Sequence, residues 1–213
     1  MSVETLRVLV IGGASGMGEA GVRALSEAGA RVAVADLKEP PRDLGAQAQY
    51  RLDIGDDAAI GAVVAQAAEA LGGLDAVWNN AGVCHVGDVE SMDMAAFDQS
   101  YMLNVRANAV LTRAALPYLR KSGGGSLLFT ASAASVMVAK GSLPYIMSKS
   151  ALLTMVRQLA LQHAEDGIRV NALCPGWVDT PFNAPSWDMF GGRDAFLEKV
   201  PALVPLHLSL IHI

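Results

Sequence analysis

An apolar run, a glycine-rich turn and a helix-spaced segment follow one another near the start of the chain, and this succession limits the fold more than any other feature. The run is Leu6 to Ile11 (LRVLVI), and the turn is Gly12-Gly13-Ala14-Ser15-Gly16-Met17-Gly18. Met17, Ala20, Ala24, Leu25 and Ala28 then recur at helical spacing until Gly29 ends the segment. The run reads as a buried strand, so the unit is strand, tight turn, helix. Glycines allow such a turn to bend sharply and let a ligand approach the backbone closely.

That context is the one a dinucleotide-binding turn requires, with a pyrophosphate seated at the helix N-terminus. A second strand, Arg31 to Ala35 (RVAVA), ends in Asp36. An acid at that point accepts hydrogen bonds from a ribose 2′-hydroxyl and repels a 2′-phosphate. The alternative is a glycine-rich turn in some other α/β protein, with Asp36 a solvated charge at a strand end.

Strands and helices continue to alternate. Ala48 to Ile54 (AQYRLDI) reads as a third strand, reached through Glu39-Pro40-Pro41-Arg42, which leaves little room for a helix. Asp56 or Asp57 caps a helix with Ile60, Val63, Val64, Ala67, Ala68 and Leu71 on one face, and Gly72-Gly73 stops it. Leu74 to Trp78 is a fourth strand, and a long helix follows from near Asp93 to Leu119. Next come a strand from Ser126 to Ala131, a helix from Tyr145 to Glu165 ending at Gly167, and a sixth strand from Ile168 to Leu173. This repetition predicts an α/β fold: one doubly wound, Rossmann-type parallel sheet with helices on both faces. Ligands bind such sheets at the carboxyl ends of the strands, where Gly12–Gly18, Asn80–Gly82, Ser132 and Pro175-Gly176 fall.

The chemistry is concentrated in Tyr145, Lys149 four residues later, and Ser132 thirteen residues upstream. Positions i and i+4 share a helix face. A free phenol titrates near ~10, and a neighbouring ammonium favours the phenolate, so Lys149 is expected to lower the pKa of Tyr145. The pair then forms a general acid/base for an alcohol or carbonyl oxygen. Each residue taken alone has a plain structural reading: Ser132 as a strand-end hydroxyl, Asn104 as a polar helix residue, Tyr145 as a half-buried aromatic.

In order along the chain stand the glycine turn, Asp53, Asn79-Asn80-Ala81-Gly82, Asn104, Ser132, Tyr145-x-x-x-Lys149 and Pro175-Gly176. This ordered set resembles the short-chain dehydrogenase/reductase family, over Leu6 to Leu206. One departure is Ile11, where the family's turn begins with a bracing Thr; a looser turn is expected.

The resemblance implies an oxidoreductase that interconverts a secondary alcohol and a ketone by hydride transfer. Tyr145 would be the proton acceptor or donor. Lys149 would also bind the nicotinamide ribose, Ser132 would polarise the substrate oxygen, and Asn104 would anchor a water relaying protons. Cofactor contacts carry over to Gly12, Ser15, Gly16, Met17 and Gly18, to Asp36, Asp53 and Ile54, and to Asn80, Ala81 and Gly82. They extend to Tyr145, Lys149, Pro175, Gly176, Val178 and Thr180, although Thr180 can equally be a helix cap before Pro181. Asp36 favours NAD over NADP, with Lys38 close by as a counterweight. Other classes on this scaffold are an epimerase or dehydratase, which needs a large substrate domain, and a non-catalytic dinucleotide sensor.

Val136, Met137, Val138 and Leu143, together with Phe182, Trp187, Met189 and Phe190, would make the pocket apolar if they face it; otherwise they pack on one another or on a neighbouring subunit. His85 reads as a loop residue or a group at the pocket mouth. Net charge is −5 with no basic block, which argues against nucleic acid as a partner. No apolar stretch is long enough for a membrane span, and a leader pattern is missing, so a cytoplasmic protein is expected. Cys84 and Cys174 show no metal spacing and are expected to be buried free thiols; no metal site is expected.

Past Val204-Pro205-Leu206 the family continues with another helix and a seventh edge strand, and it forms homodimers or homotetramers. Here the final residues Leu208-Ser209-Leu210-Ile211-His212-Ile213 can be written in codons as CTG TCT CTT ATA CAC ATC, which matches a transposon end used as a sequencing adapter. The expectation is one domain over 1–207, truncated at its end, with a non-native tail at 208–213. A short apolar strand is the alternative. Truncation would leave Ile168–Leu173 an open edge and the 213-residue form prone to aggregate.

Overall fold

A computed structural model describes residues 3–138 and 140–203. Six parallel strands form one sheet: β1 (Arg7–Ile11), β2 (Arg31–Asp36), β3 (Ala48–Arg51), β4 (Ala76–Asn79), β5 (Gly125–Thr130) and β6 (Ile168–Leu173). Their spatial order is β3-β2-β1-β4-β5-β6. The chain runs outward from β1 in one direction and then, from β4, in the other. The topological switch therefore lies between β1 and β4, where Ile11 is in register with Asn79. A crevice opens at such a point, above the strands' carboxyl ends.

The period of two along each strand divides the core. Leu9, Ile11, Ala33, Ala35, Val77, Leu127 and Phe129 point to one face. There they meet buried residues of α2 (Asp57–Leu71), α4 (Ala107–Lys121) and α5 (Leu143–Gln162). Val8, Val10, Val32, Val34 and Trp78 point the other way, with Val22 of α1 (Gly16–Glu27). Both faces are covered, which is why the strands read as continuous apolar runs. The opposite, amino end of the sheet is clamped by Asp75, which accepts hydrogen bonds from the Arg7 backbone (2.9 Å), Nε (2.8 Å) and Nη2 (2.6 Å). The Arg7 guanidinium holds the Asp75 carboxyl below the usual range.

Most expected elements are present, with shifted ends. The segment between β2 and β3 contains no helix, as the prolines imply. Asp56 rather than Asp57 is the cap of α2, accepting from the Ala58 and Ala59 N–H groups, and Gly72 closes it in the left-handed conformation. The third strand stops at Arg51, so Asp53 and Ile54 lie in the following loop. There Asp53 turns back to accept from the Gly55 N–H (2.8 Å).

The single long helix expected over 93–119 is instead three pieces: α3 (Met94–Tyr101), a π-helical turn (Met102–Arg106) and α4. Cys174 is exposed rather than buried, just past β6, which is the edge strand among the described residues. Two short helices, α6 (Ala184–Phe190) and α7 (Arg193–Leu203), complete the fold. Trp177, Phe190 and Phe196 hold them through edge-on ring contacts, together with an Arg193–Asp179 ion pair. The expectations of a non-native tail at 208–213 and of a sheet without its seventh strand fall outside the described residues.

Candidate active site

A cleft of about 300 Å³ opens at the switch point. It is lined by Gly12, Ser15, Gly16 and Met17, by Asp36, Asp53 and Ile54, and by Asn80, Ala81 and Gly82. From the other half of the sheet come Ser132, Tyr145, Lys149, Pro175, Gly176, Val178 and Thr180. Two expected residues stand behind the wall: Gly18 and Asn104. Others line it that spacing did not single out, among them Leu37, Leu52, Val83, Leu103, Thr130 and Asn183. Leu37 directly follows the expected end of β2 and was findable on that ground, whereas Leu52 lay inside the strand expected to run to Ile54. Leu103 and Thr130 carry no local sequence signal.

The glycine turn is built by close approach. Gly12 has φ +79°, and a Cβ there would lie 2.5 Å from the Ala81 nitrogen. A Cβ on Gly18 would lie 1.9 Å from the Gly12 carbonyl oxygen. The turn is not loose despite Ile11. The Gly12 N–H donates to the Ala35 carbonyl (2.7 Å), and the Gly12 carbonyl accepts from Asn80 Nδ2 (3.0 Å). Asp36 accepts from the Ala14 N–H (2.9 Å) and the Lys38 N–H (3.0 Å), so its carboxylate braces the turn while still facing the cleft. Thr180 covers the turn from across the cleft, its methyl 3.1 Å from where a Gly16 Cβ would be. It caps the short Pro181–Asn183 helix by position, with no hydrogen bond from its side chain.

Ser132 lies two residues past β5 and starts the Ala133–Ser135 turn in a capping box, accepting from the Ala134 N–H (3.1 Å). Tyr145 and Lys149 lie on α5, which begins at Leu143 with Pro144 in its first turn. Their electrostatics differ from what spacing alone predicts. Burial pushes the Tyr145 phenol up to about 12, against a hydrogen bond with Ser132 that pulls it down. Lys149 Nζ sits 5.8 Å from the Tyr145 ring centre and donates to the Thr130 carbonyl (2.7 Å). Burial lowers its own pKa to about 8. Desolvation is the largest cause of both shifts, and for Tyr145 it runs opposite to the lowering expected from a neighbouring ammonium.

That burial has a cost in stability. Lys149 titrates near 8 in the folded chain and near 10.5 as a free group. Below pH 8 it is charged in both states and the desolvation penalty is fully present; between 8 and 10.5 the penalty disappears. Lys149→Met is therefore expected to raise stability at pH 7 by about 3 kcal/mol, roughly 9 °C in Tm. That gain should shrink to nothing by about pH 10.5. Thermal melts of both proteins across this range test it, and a variant less stable at pH 7 would refute it.

Asn104 lies in the π-turn and is fully buried. Its amide accepts from the Val83 N–H (2.9 Å) and donates to the Val83 carbonyl (2.9 Å) and to Ser148 Oγ (2.9 Å). A Cβ on Gly82 would meet Asn104 Oδ1 at 2.7 Å and Lys149 Nζ at 3.3 Å, so this glycine leaves room where the two side chains converge.

The apolar residues expected around the pocket separate. Phe182 lines the cleft with its ring 6.0 Å from that of Tyr145. Val136, Met137 and Val138 are exposed, Met189 packs over Gly141, and Phe190 turns to Trp177 and Phe196. His85 is a satisfied loop residue, bonded to Ser100 (3.0 Å). Cys84 is buried against Ser186, and its thiol is pushed up by burial.

The family profile described as "Enoyl-(Acyl carrier protein) reductase" matches residues 12–209. A 2,5-dichloro-2,5-cyclohexadiene-1,4-diol dehydrogenase of Sphingobium indicum is 35% identical over 185 residues, covering 83% of this chain and 74% of that protein. A 2-(R)-hydroxypropyl-CoM dehydrogenase of Xanthobacter autotrophicus is 31% identical over 206 residues, covering 91% and 82%. In fold, the ligand-free aldohexose dehydrogenase of Thermoplasma acidophilum superposes with a TM-score of 0.86 at 23% identity, over 98% of this chain and 83% of that one. Among the described residues, no helix is long and apolar enough to cross a membrane. With its glycine turn, its parallel sheet and these relatives, the chain belongs to the short-chain dehydrogenase/reductase family, oxidoreductases that act on CH–OH groups with a nicotinamide dinucleotide.

Proposed function

We propose that this protein is an NAD-preferring dehydrogenase of apolar secondary alcohols, with Ser132, Tyr145 and Lys149 as its catalytic residues. The observation that carries this reading is that these three side chains and the glycine turn line one cleft. The cradle fits a dinucleotide: glycines stand where a Cβ would collide, and the N-terminus of α1 opens onto the cleft. Gly12, Ser15, Gly16 and Met17 would hold the pyrophosphate, Asp36 the adenosine ribose, Asp53 and Ile54 the adenine. Asn80 to Gly82 would hold the central stretch, and Pro175, Gly176, Val178 and Thr180 the nicotinamide end. Gly18 supports the turn from behind.

When bound, the nicotinamide supplies the hydride acceptor or donor. The chain supplies position and proton handling. Ser132 holds the substrate oxygen, and Tyr145 takes its proton in oxidation and returns it in reduction. Lys149 supports the phenolate and the ribose. Asn104 fixes the Val83 segment and Ser148 beneath them, and would anchor the proton-relay water. Phe182 beside Tyr145, with Val83, Val178 and Pro181 in the wall, favours an apolar substrate. Both relatives named above for their substrates act on hydroxylated small molecules, one of them cyclic. The resemblance extends to assembly, and a homodimer or homotetramer is proposed on that ground.

Initial rates with NAD and NADP on a panel of secondary alcohols such as cyclohexanol and 2-octanol test this reading. NAD should be preferred by at least about tenfold, because a 2′-phosphate would meet the Asp36 carboxylate. Asp36→Ser should narrow or invert the ratio, with Lys38 left in the cleft to receive the phosphate. An unchanged ratio would remove Asp36 from cofactor choice. Failure to reduce either nucleotide with any alcohol would remove the substrate assignment.

A further inference from the structure

We propose that Thr130 is a positioning residue that ties the glycine turn to the catalytic lysine, through a one-way hydrogen-bond chain running from Trp78 to Gly12. The inference rests on the dinucleotide reading of the cleft and adds to it a residue on which the turn's shape depends.

Thr130 closes β5 and is buried, 7% exposed. Its hydroxyl accepts from Trp78 Nε1 (3.0 Å) and donates to Asn80 Oδ1 (3.0 Å). Asn80 Nδ2 in turn donates to the Gly12 carbonyl (3.0 Å). The ends of this chain fix its direction, since an indole N–H can only donate and a carbonyl oxygen can only accept. Thr130 is thereby set as acceptor from the indole and donor to the amide, and the Asn80 amide has one orientation that satisfies both neighbours. Two glycines on one face of α1 make room for it. A Cβ at Gly18 would lie 2.8 Å from Asn80 Nδ2, and one at Gly21 would lie 2.2 Å from the Trp78 ring.

The same residue reaches the chemistry from its other side. The Thr130 carbonyl accepts from Lys149 Nζ at 2.7 Å. One peptide unit and one hydroxyl thus fix the ammonium relative to the turn that receives the pyrophosphate. Removing the hydroxyl leaves the Lys149 contact intact. It strips Trp78 and Asn80 of buried partners and frees the amide to rotate away from Gly12.

The test is NADH binding, followed by the emission of NADH excited directly, in wild type, Thr130→Val, Thr130→Ser and Trp78→Phe, each with a thermal melt. Thr130→Val is expected to weaken NADH about tenfold. Thr130→Ser should return affinity to within about threefold of wild type, and Trp78→Phe should weaken it about threefold, since the hydroxyl can still donate to Asn80. A merely structural role would lower Tm in the valine variant without this serine rescue of affinity. Wild-type affinity in Thr130→Val, or equal weakness in Thr130→Ser, overturns the proposal. If Thr130→Val does not fold, Trp78→Phe decides: wild-type affinity in that variant overturns the proposal, and threefold weakening with normal affinity in Thr130→Ser supports it. A wild type that binds no NADH overturns the dinucleotide reading itself, an outcome distinct from all of these.

Discussion

Tyr145→Phe should lower turnover by about a thousandfold while leaving NADH affinity within about threefold of wild type. Loss of a positioned acid/base costs roughly 10²–10⁴ in rate. The phenylalanine ring keeps the packing against Phe182 and the place over Lys149, so only the proton-handling atom is lost. The high pKa of Tyr145 in the free protein sharpens the expectation. A phenol pushed up to about 12 by burial is a poor base at pH 7, so the proposed oxidation requires that positive charge beside it, such as the Lys149 ammonium, lower it during turnover. Wild-type oxidation should therefore speed up as pH rises through the neutral range, and the residual rate of the phenylalanine variant should be flat there. Steady-state rates from pH 6 to 9 on both proteins decide the matter. A variant within tenfold of wild type would exclude Tyr145 as the acid/base.

The second large effect concerns two glycines that look alike in sequence, each inside a helix and each preceding an apolar residue or its neighbour. Gly18→Ala is expected to cost the protein 3 kcal/mol or about that, and to weaken NADH by at least about a hundredfold. Its new methyl would stand 1.9 Å from the Gly12 carbonyl oxygen, a backbone atom that cannot yield without opening the turn. Gly61→Ala is expected to act in the opposite direction. Nothing lies within 4 Å of a Cβ at Gly61, and α2 is helical there, so the alanine relieves the unfolded chain's excess entropy and adds about 0.5–1 kcal/mol. Denaturant melts of the pair, with NADH titration, test both. A stable, tightly binding Gly18→Ala would mean that α1 can slide away from the turn.

What could be read from the sequence was what short spacing encodes. The glycine turn, Asp36 at a strand end, and Tyr145 one helical turn from Lys149 each depend on a handful of adjacent residues, and all of them line the cleft apart from Gly13, Ala14 and Gly18 of the turn. The doubly wound parallel sheet followed from the alternation of strands and helices, while the order of its strands came only with the structure. The direction of the Tyr145 pKa did not, because spacing places the ammonium near the ring but says nothing of the water both groups lose on burial. Thr130 stayed silent for a related reason: its partners Trp78 and Asn80 lie 52 and 50 residues away and meet it only once β4 and β5 pair. The apolar residues after Thr180 left two readings open, a pocket wall or mutual packing, and the structure divides them: Phe182 lines the cleft while Phe190 has edge-on partners in Trp177 and Phe196. Proximity to a strand suggests burial for Cys174, but a position just beyond a strand at the sheet's edge need not be covered, and this one is exposed.

The π-turn at Met102–Arg106 changes how the whole segment 94–121 must be read. A helical wheel drawn through it as one helix carries a phase error of about 100° from the turn onward, since a π-turn holds one residue more than an α-helix would use. The two halves indeed answer to different neighbours, α3 packing on α5 and α4 on α2. Removing one residue of this turn other than Asn104 is expected to erase that offset and restore an unbroken helix. It would then turn Asn104 out of the Val83 and Ser148 contacts, or turn Leu111 and Ala115 out of the core, because no rotation of a regular helix satisfies both. Length, at this one place, is as strictly held as the identity of any side chain.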